Sequence, residues 1–150
     1  MISYRVSLTP KPPPMRARVE RLETLVQHLP QVDCPVEHEF YPGVYIRTMT
    51  VPVGVVATGA VHKTEHVTLI TQGHCLLTTD QGVKEIRAPF AVVSKPGIKR
   101  AITTMETTVL KTIHLTSTTD LDALVSELTE SNSAQLLGGA ENAQLLLEKS

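Results

Sequence analysis

AVHKTEHVTLITQG, the stretch from Ala60 to Gly73, is dense in residues that favour an extended backbone: Val61, Thr64, Val67, Thr68, Ile70 and Thr71 are all β-branched. Side chains on a strand alternate between faces. The pattern therefore predicts that His62, Thr64 and His66 share one side while Lys63 and Glu65 point to the other. Two neutral imidazoles on one wall supply half of a four-ligand metal site, and zinc, iron, copper and nickel all accept that donor. Further ligands must come from elsewhere in the chain.

Working outward, the same texture runs from Val44 to Thr116 as short β-rich segments separated by turn residues. VYIRTMTVPVG precedes the histidine stretch, and HCLLTTDQG follows it, with a hairpin expected at Asp80 to Gly82. VKEIRAPFAVVSKPG is expected to give two strands, broken near Ala88 and Pro89 and ended by Pro96 and Gly97. KRAITTMETTVLKTIHLTS adds a final pair around Met105 and Glu106. No helical pattern interrupts this series, so an all-β, antiparallel double sheet or closed barrel is expected rather than an α/β fold.

Towards the N-terminus, MISYRVSLTP alternates like a short strand, and Pro12 to Pro14 end it. Met15, Val19, Leu22, Val26 and Leu29 recur at helical spacing, which predicts a helix from Met15 to Leu29, stopped by Pro30. Gln31 to Gly43 is polar and broken by prolines, and reads as a connecting arm; His38, Glu37 and Glu39 could touch a metal or a ligand, but solvated side chains are the expectation. After the β region, STTDLDALVSELTES predicts a helix capped by Thr118 or Thr119, with Leu121, Leu124, Val125 and Leu128 on one face. The tail carries AQLL twice around Gly138 and Gly139, as two short helical pieces. The organisation expected is thus residues 1–40 as strand, helix and arm, 41–116 as the β-barrel, and 117–150 as a helical extension.

Composition bounds the function. A chain of 150 residues can bury a core as one domain. A formal net charge of -1 provides no general field for nucleic acid or acidic lipid. Cys34 and Cys75 lack CxxC spacing and cannot build a disulfide framework, so a reducing cytoplasm is the expected compartment. No signal-like leader is evident, and no apolar run approaches the ~18 residues of a membrane span.

HKTEH also fits HxxEH, a zinc-peptidase signature in which both histidines lie one helical turn apart. That chemistry needs a helix, and the flanking TGAV and VTLITQG are poor helix formers. The better resemblance is to the cupins, small jelly-roll barrels, and it covers Tyr41 to Thr116. Counting back from Gly73, His66 stands where the first cupin motif has its glutamate, His62 stands at its second histidine, and Ala60 occupies the place of the first. SKPGIKR resembles the PxGxxH turn of the second motif, with Gly97 at the glycine, Lys95 replacing the proline and Arg100 replacing the histidine.

The resemblance implies an antiparallel jelly-roll barrel with helical extensions at both termini, and a metal site altered from the family pattern. Of the four positions that usually ligate, only His62 keeps its identity; His66 can replace a carboxylate, while Ala60 and Arg100 cannot ligate. His114, on the last strand, is the candidate third ligand for a divalent ion such as iron, manganese, nickel or zinc. Tyr45 and Arg47, on one face of a strand, and Arg100 are candidate contacts for a small polar or anionic ligand. If the protein is an enzyme, Glu65 or Arg100 would position the reacting group beside the metal. Cupins serve as dioxygenases, isomerases, lyases and binding modules, so three classes stay open: a metal-dependent enzyme, a non-catalytic ligand-binding or sequestering module, and an oligomeric scaffold. The leucine-bearing ends point to a homo-oligomer.

Overall fold

The computed structural model describes residues 1–3 and 14–131. Nine strands follow one helix and precede another: α1 (Met15–Val26), β1 (Val36–Tyr41), β2 (Val44–Val51), β3 (Val56–Thr58), β4 (His66–Gln72), β5 (His74–Thr79), β6 (Gly82–Arg87), β7 (Phe90–Ser94), β8 (Ala101–Thr104), β9 (Thr108–Leu115) and α2 (Leu121–Leu128). They form a five-stranded sheet in the order β1-β2-β9-β4-β7 and a four-stranded sheet in the order β3-β8-β5-β6. Every pairing is antiparallel. The fold is a jelly roll of two facing sheets. Among the described residues no ladder joins one sheet to the other, so the expected barrel is open at its edges.

The turns follow local chemistry. Thr79 pairs with Gly82 across the expected hairpin, and the Thr79 hydroxyl donates to the Gly82 carbonyl at 2.8 Å. Gly73 turns β4 into β5 with φ +105, and a Cβ there would meet the Thr107 carbonyl oxygen at 2.5 Å, so both backbone angle and space require glycine. Alternation along β4 buries His66, Thr68 and Ile70 while Val67 faces outward. Ile70, Cys75, Leu77, Ile86 and Ile102 then form the apolar core between the sheets. Each large aliphatic side chain buried there contributes about 1.5–3 kcal/mol.

Three local expectations change. Val36 to Tyr41, expected as part of a loop arm, forms β1 along Val44 to Met49 of β2, because β2 offers an edge whose backbone groups need partners. Helix α1 stops at Val26 rather than Leu29; the Gln31 amide donates to the Val26 and Leu29 carbonyls at 3.0 and 2.9 Å, and Leu29, preceding a proline, disfavours the helical backbone. The cap of α2 is Asp120, not Thr118 or Thr119: its Oδ1 accepts the Ala123 N–H at 2.8 Å. On α2, Leu124 and Leu128 are buried against Tyr45, while Leu121 is exposed. The expected first strand and the two AQLL pieces fall largely in residues 4–13 and 132–150, outside the described residues.

Candidate functional site

The space between the sheets not filled by the core is a cavity of about 790 Å³, walled by both sheets and covered by residues of α1 and α2, including Val26, Leu124 and Leu128. His62, His66 and His114 line it together. Their ring centroids are 4.2 Å apart for His62 and His66, 5.3 Å for His62 and His114, and 4.8 Å for His66 and His114. One nitrogen from each lies within 4.8 Å of the others. Metal–nitrogen bonds of about 2.0–2.1 Å allow ligand nitrogens to be ~4 Å apart at most, so small ring rotations would bring all three to one ion.

The reason for this convergence differs from the expected one. His66 opens β4, but His62 is not on the same strand: it makes an isolated antiparallel bridge with Thr129, and a turn separates the two histidines. Backbone bonds fix that turn. Lys63 N–H donates to the Leu128 carbonyl at 2.8 Å, Glu130 N–H to the Val61 carbonyl at 2.9 Å, and Gly97 N–H to the His62 carbonyl at 2.9 Å. Thus the end of α2 and the Pro96–Gly97 turn together hold His62. His114 comes from β9, directly opposite Tyr45 of β2, whose ring stacks on it at 5.7 Å.

Burial sets the protonation states. It is the first cause of lowered pKa in all three rings, carrying His62 down to about 3 and His114 to about 4, with mutual repulsion adding to both; Arg100 adds to the lowering at His66. All three are neutral at pH 7, the form that donates a lone pair. His66 Nδ1 is oriented to the Thr64 carbonyl at 3.3 Å, which leaves Nε2 for another partner. His114 Nδ1 is buried with no hydrogen-bond partner among the described residues. A cation is one partner that this donor set suits.

The other expected site residues separate. Tyr45, Arg47 and Arg100 line the cavity. Glu65 is exposed and does not, so its position gives it no access to a reacting group there. Arg100 is already engaged: Nε and Nη2 donate to Ser94 Oγ at 3.2 and 3.1 Å, and Nη1 to the Thr78 carbonyl at 2.8 Å. His74, expected to be a packing residue, is buried and bonded to Glu85 Oε1 at 2.6 Å.

Two lining features were not anticipated. His38, which sequence placed on a solvated loop, sits with Nδ1 2.6 Å from the Tyr45 hydroxyl and its ring stacked on Tyr45. The alternation Val36, His38, Phe40 was the available signal, masked by the flanking prolines. Lys99, 8% exposed, pairs with Glu23 of α1 at 3.0 Å, and Thr58 donates to the same carboxylate at 2.7 Å. These contacts pin α1 over the cavity; no local pattern connects residues so far apart in the chain.

No family model and no curated protein matches the chain. Among solved structures, salicylate 1,2-dioxygenase from Pseudoaminobacter salicylatoxidans superposes with a TM-score of 0.55 and 8% identity, over 81% of this chain and 36% of its own. The plu4264 protein from Photorhabdus luminescens superposes at 0.50 with 8% identity, covering 58% of this chain and 78% of its own. A Cupin_2 domain of an XRE family transcriptional regulator from Enterobacter cloacae aligns at 0.48 with 11% identity, over 57% and 99%. By fold this chain is a jelly roll like the first two of these. At these identities the likeness is one of architecture. Within this fold, the turn resembling the second cupin motif supports His62 through the Gly97 N–H, while the side chain at its histidine position, Arg100, ties β7 to β5.

Proposed function

We propose that this cupin binds a small polar or anionic molecule in its inter-sheet cavity, with a divalent metal ion held by His62, His66 and His114. The observation that carries the reading is the meeting of three neutral imidazoles, two buried and one half-buried, from three separate segments, one with a ring nitrogen that has no partner among the described residues. Iron, nickel and zinc suit imidazole donors. A bound ion of this kind would supply Lewis acidity at the cavity floor, and three protein ligands leave room for a guest beside it. Tyr45 packs against His114 and fixes its ring; Arg100 faces His66 and favours its neutral form. Arg47 presents a positive charge to the guest.

The test is elemental analysis of tag-free protein prepared without chelator, beside His62→Ala, His66→Ala and His114→Ala. Near-stoichiometric metal that is lost in the variants supports the reading. Absence of metal, with none taken up on titration, removes it and leaves the second reading, a metal-free binding or sequestering cupin. That second reading is favoured by Ala60 and Arg100, which occupy family ligand positions without ligating groups.

A homo-oligomer belongs to the same proposal. Tyr41 and Leu115 are 56% and 84% exposed and flank Val44 across adjacent strands, an apolar strip at the end of the larger sheet. Light scattering at micromolar concentration tests it, and a strictly monomeric mass removes it. No described helix is long and apolar enough to cross a membrane.

A further inference from the structure

Arg47 projects from the middle of β2 into the cavity, and burial lowers its pKa. Among the described residues its guanidinium makes no hydrogen bond and no ion pair, whereas the other cations at the cavity are engaged: Lys99 with Glu23, and Arg100 with Ser94 and Thr78. A half-buried guanidinium without a counter-charge is left short of the partners that water would give it. The carboxylates of the cavity wall do not answer it. Glu23 is held by Lys99 and Thr58, and Asp122 lies exposed in the first turn of α2.

A second polar group beside it is also unsatisfied. Thr112 of β9 is the cross-strand partner of Arg47, lines the same cavity, and has a buried hydroxyl with no hydrogen-bond partner among the described residues. A fork of N–H donors next to a hydroxyl donor is the geometry that grips a carboxylate. The rows on either side tell what the rest of the guest must be. Two positions along the same pair of strands stand Tyr45 and His114, the histidine end; two positions the other way stand Met49 and Leu110. Successive rows on one face of a strand are about 6.6–6.8 Å apart. Leu77 and Ile102 of the opposite sheet complete an apolar wall.

We propose that the Arg47–Thr112 pair is a carboxylate subsite and that the occupant is a small amphipathic monocarboxylic acid, its carboxylate on this pair and its apolar body against Met49, Leu110, Leu77 and Ile102. The inference rests on the cavity being a small-molecule site, and is independent of the metal. A carboxylate anchored here stands one row from the histidine end, with the apolar body on the side away from it. The acid can be aliphatic or aromatic; both present the same anchoring group.

The experiment is isothermal titration of the full chain, in chelator and again after zinc loading, with octanoate and benzoate beside octanamide and benzamide. At least one acid binds and its amide does not. Charged hydrogen bonds of about 1.5–3 kcal/mol correspond to a ~10–150-fold loss in Arg47→Met, with Thr112→Val losing less and Arg47→Lys keeping part of the affinity. Octanoate alone or benzoate alone binding identifies the aliphatic or aromatic source. Ligand-free Arg47→Met melts at or above the wild-type temperature, since no internal partner is lost, which also reports that it folds. Failure of both acids to bind, equal binding of acid and amide, or binding unchanged in Arg47→Met overturns the inference. Acid binding that requires zinc and ignores Arg47 also overturns it while leaving the metal reading intact. Arg47-dependent binding in chelator supports it even if no metal is ever taken up.

Discussion

The imidazoles of His62 and His66, 4.2 Å apart between ring centroids, meet across a turn and not along one strand. His62 is therefore only as well placed as the backbone bonds that hold it, and one of these comes from Gly97, whose φ is +85. Gly97→Ala has open space for its Cβ but strains the turn by about 1–2 kcal/mol. We expect metal affinity to fall by ~10–100-fold, the range for groups that orient ligands, with the fold retained. Competition against a zinc chelator measures it; affinity equal to wild type would separate His62 from its support.

Removing the imidazoles themselves should cost more. His62→Ala, His66→Ala and His114→Ala each delete a direct ligand, so each is expected to weaken metal binding by more than that ~10–100-fold. Their unfolding in urea should change less than metal binding does, because the rings make few hydrogen bonds to the rest of the protein: His66 Nδ1 with the Thr64 carbonyl at 3.3 Å, and His62 with the Ala60 backbone. A variant that keeps full metal content would exclude that histidine from the site.

Stability should fall in acid through the same three groups. Their pKa is lowered in the folded protein, so above the unfolded value near 6.5 neither state binds the protons and stability is complete. Below it the unfolded chain takes up protons that the folded chain refuses until about pH 4 at His114 and about 3 at His62. Unfolding free energy should thus decline as pH drops from 6.5 to 4. Urea titrations of wild type and His62→Ala check this, and the variant should show the shallower decline.

The buried amine of Lys99 depends on Glu23 for its counter-charge. Glu23→Ala strands it, and because Glu23 is itself part-exposed the cost should lie near the lower end of the ~3–5 kcal/mol typical of broken buried pairs. Adding Lys99→Met should restore part of that loss. A double mutant no more stable than Glu23→Ala would mean that α1 is held over the cavity by packing alone.

Gly73→Ala combines a positive φ with a clash on the Thr107 carbonyl and Thr108, and neither neighbour is the tip of a flexible side chain. A loss beyond ~2 kcal/mol is expected. Thermal unfolding checks it, and an unchanged midpoint would show that the β4–β5 turn can rearrange freely.

Much of the architecture was legible because it depends on short-range physics. β-Branched runs select extended backbone, proline and glycine end it, and the alternation in HVTLITQ states which side of β4 is buried. The histidine triad, too, could be named residue by residue. The reasons behind it could not: parity put His62 and His66 on one strand, whereas α2 and the Gly97 turn bring His62 in from a loop. The same limit explains β1, which is polar and flanked by prolines yet completes an edge, and Glu65, which neighbours His66 in sequence and faces solvent.

Arg47 and Arg100 mark the division most clearly. By itself the chain determined a jelly roll, two helices and a set of histidines and arginines able to share a cavity, since residue type and periodicity act over a few positions. Which arginine spends its donors inside the protein was decided only by the tertiary structure. Arg100 meets Thr78 and Ser94 from other strands, while Arg47 lies across from Thr112, whose hydroxyl also has no partner among the described residues. A charge is satisfied by what lies within hydrogen-bond reach of it, and that neighbourhood exists only once distant segments have folded together.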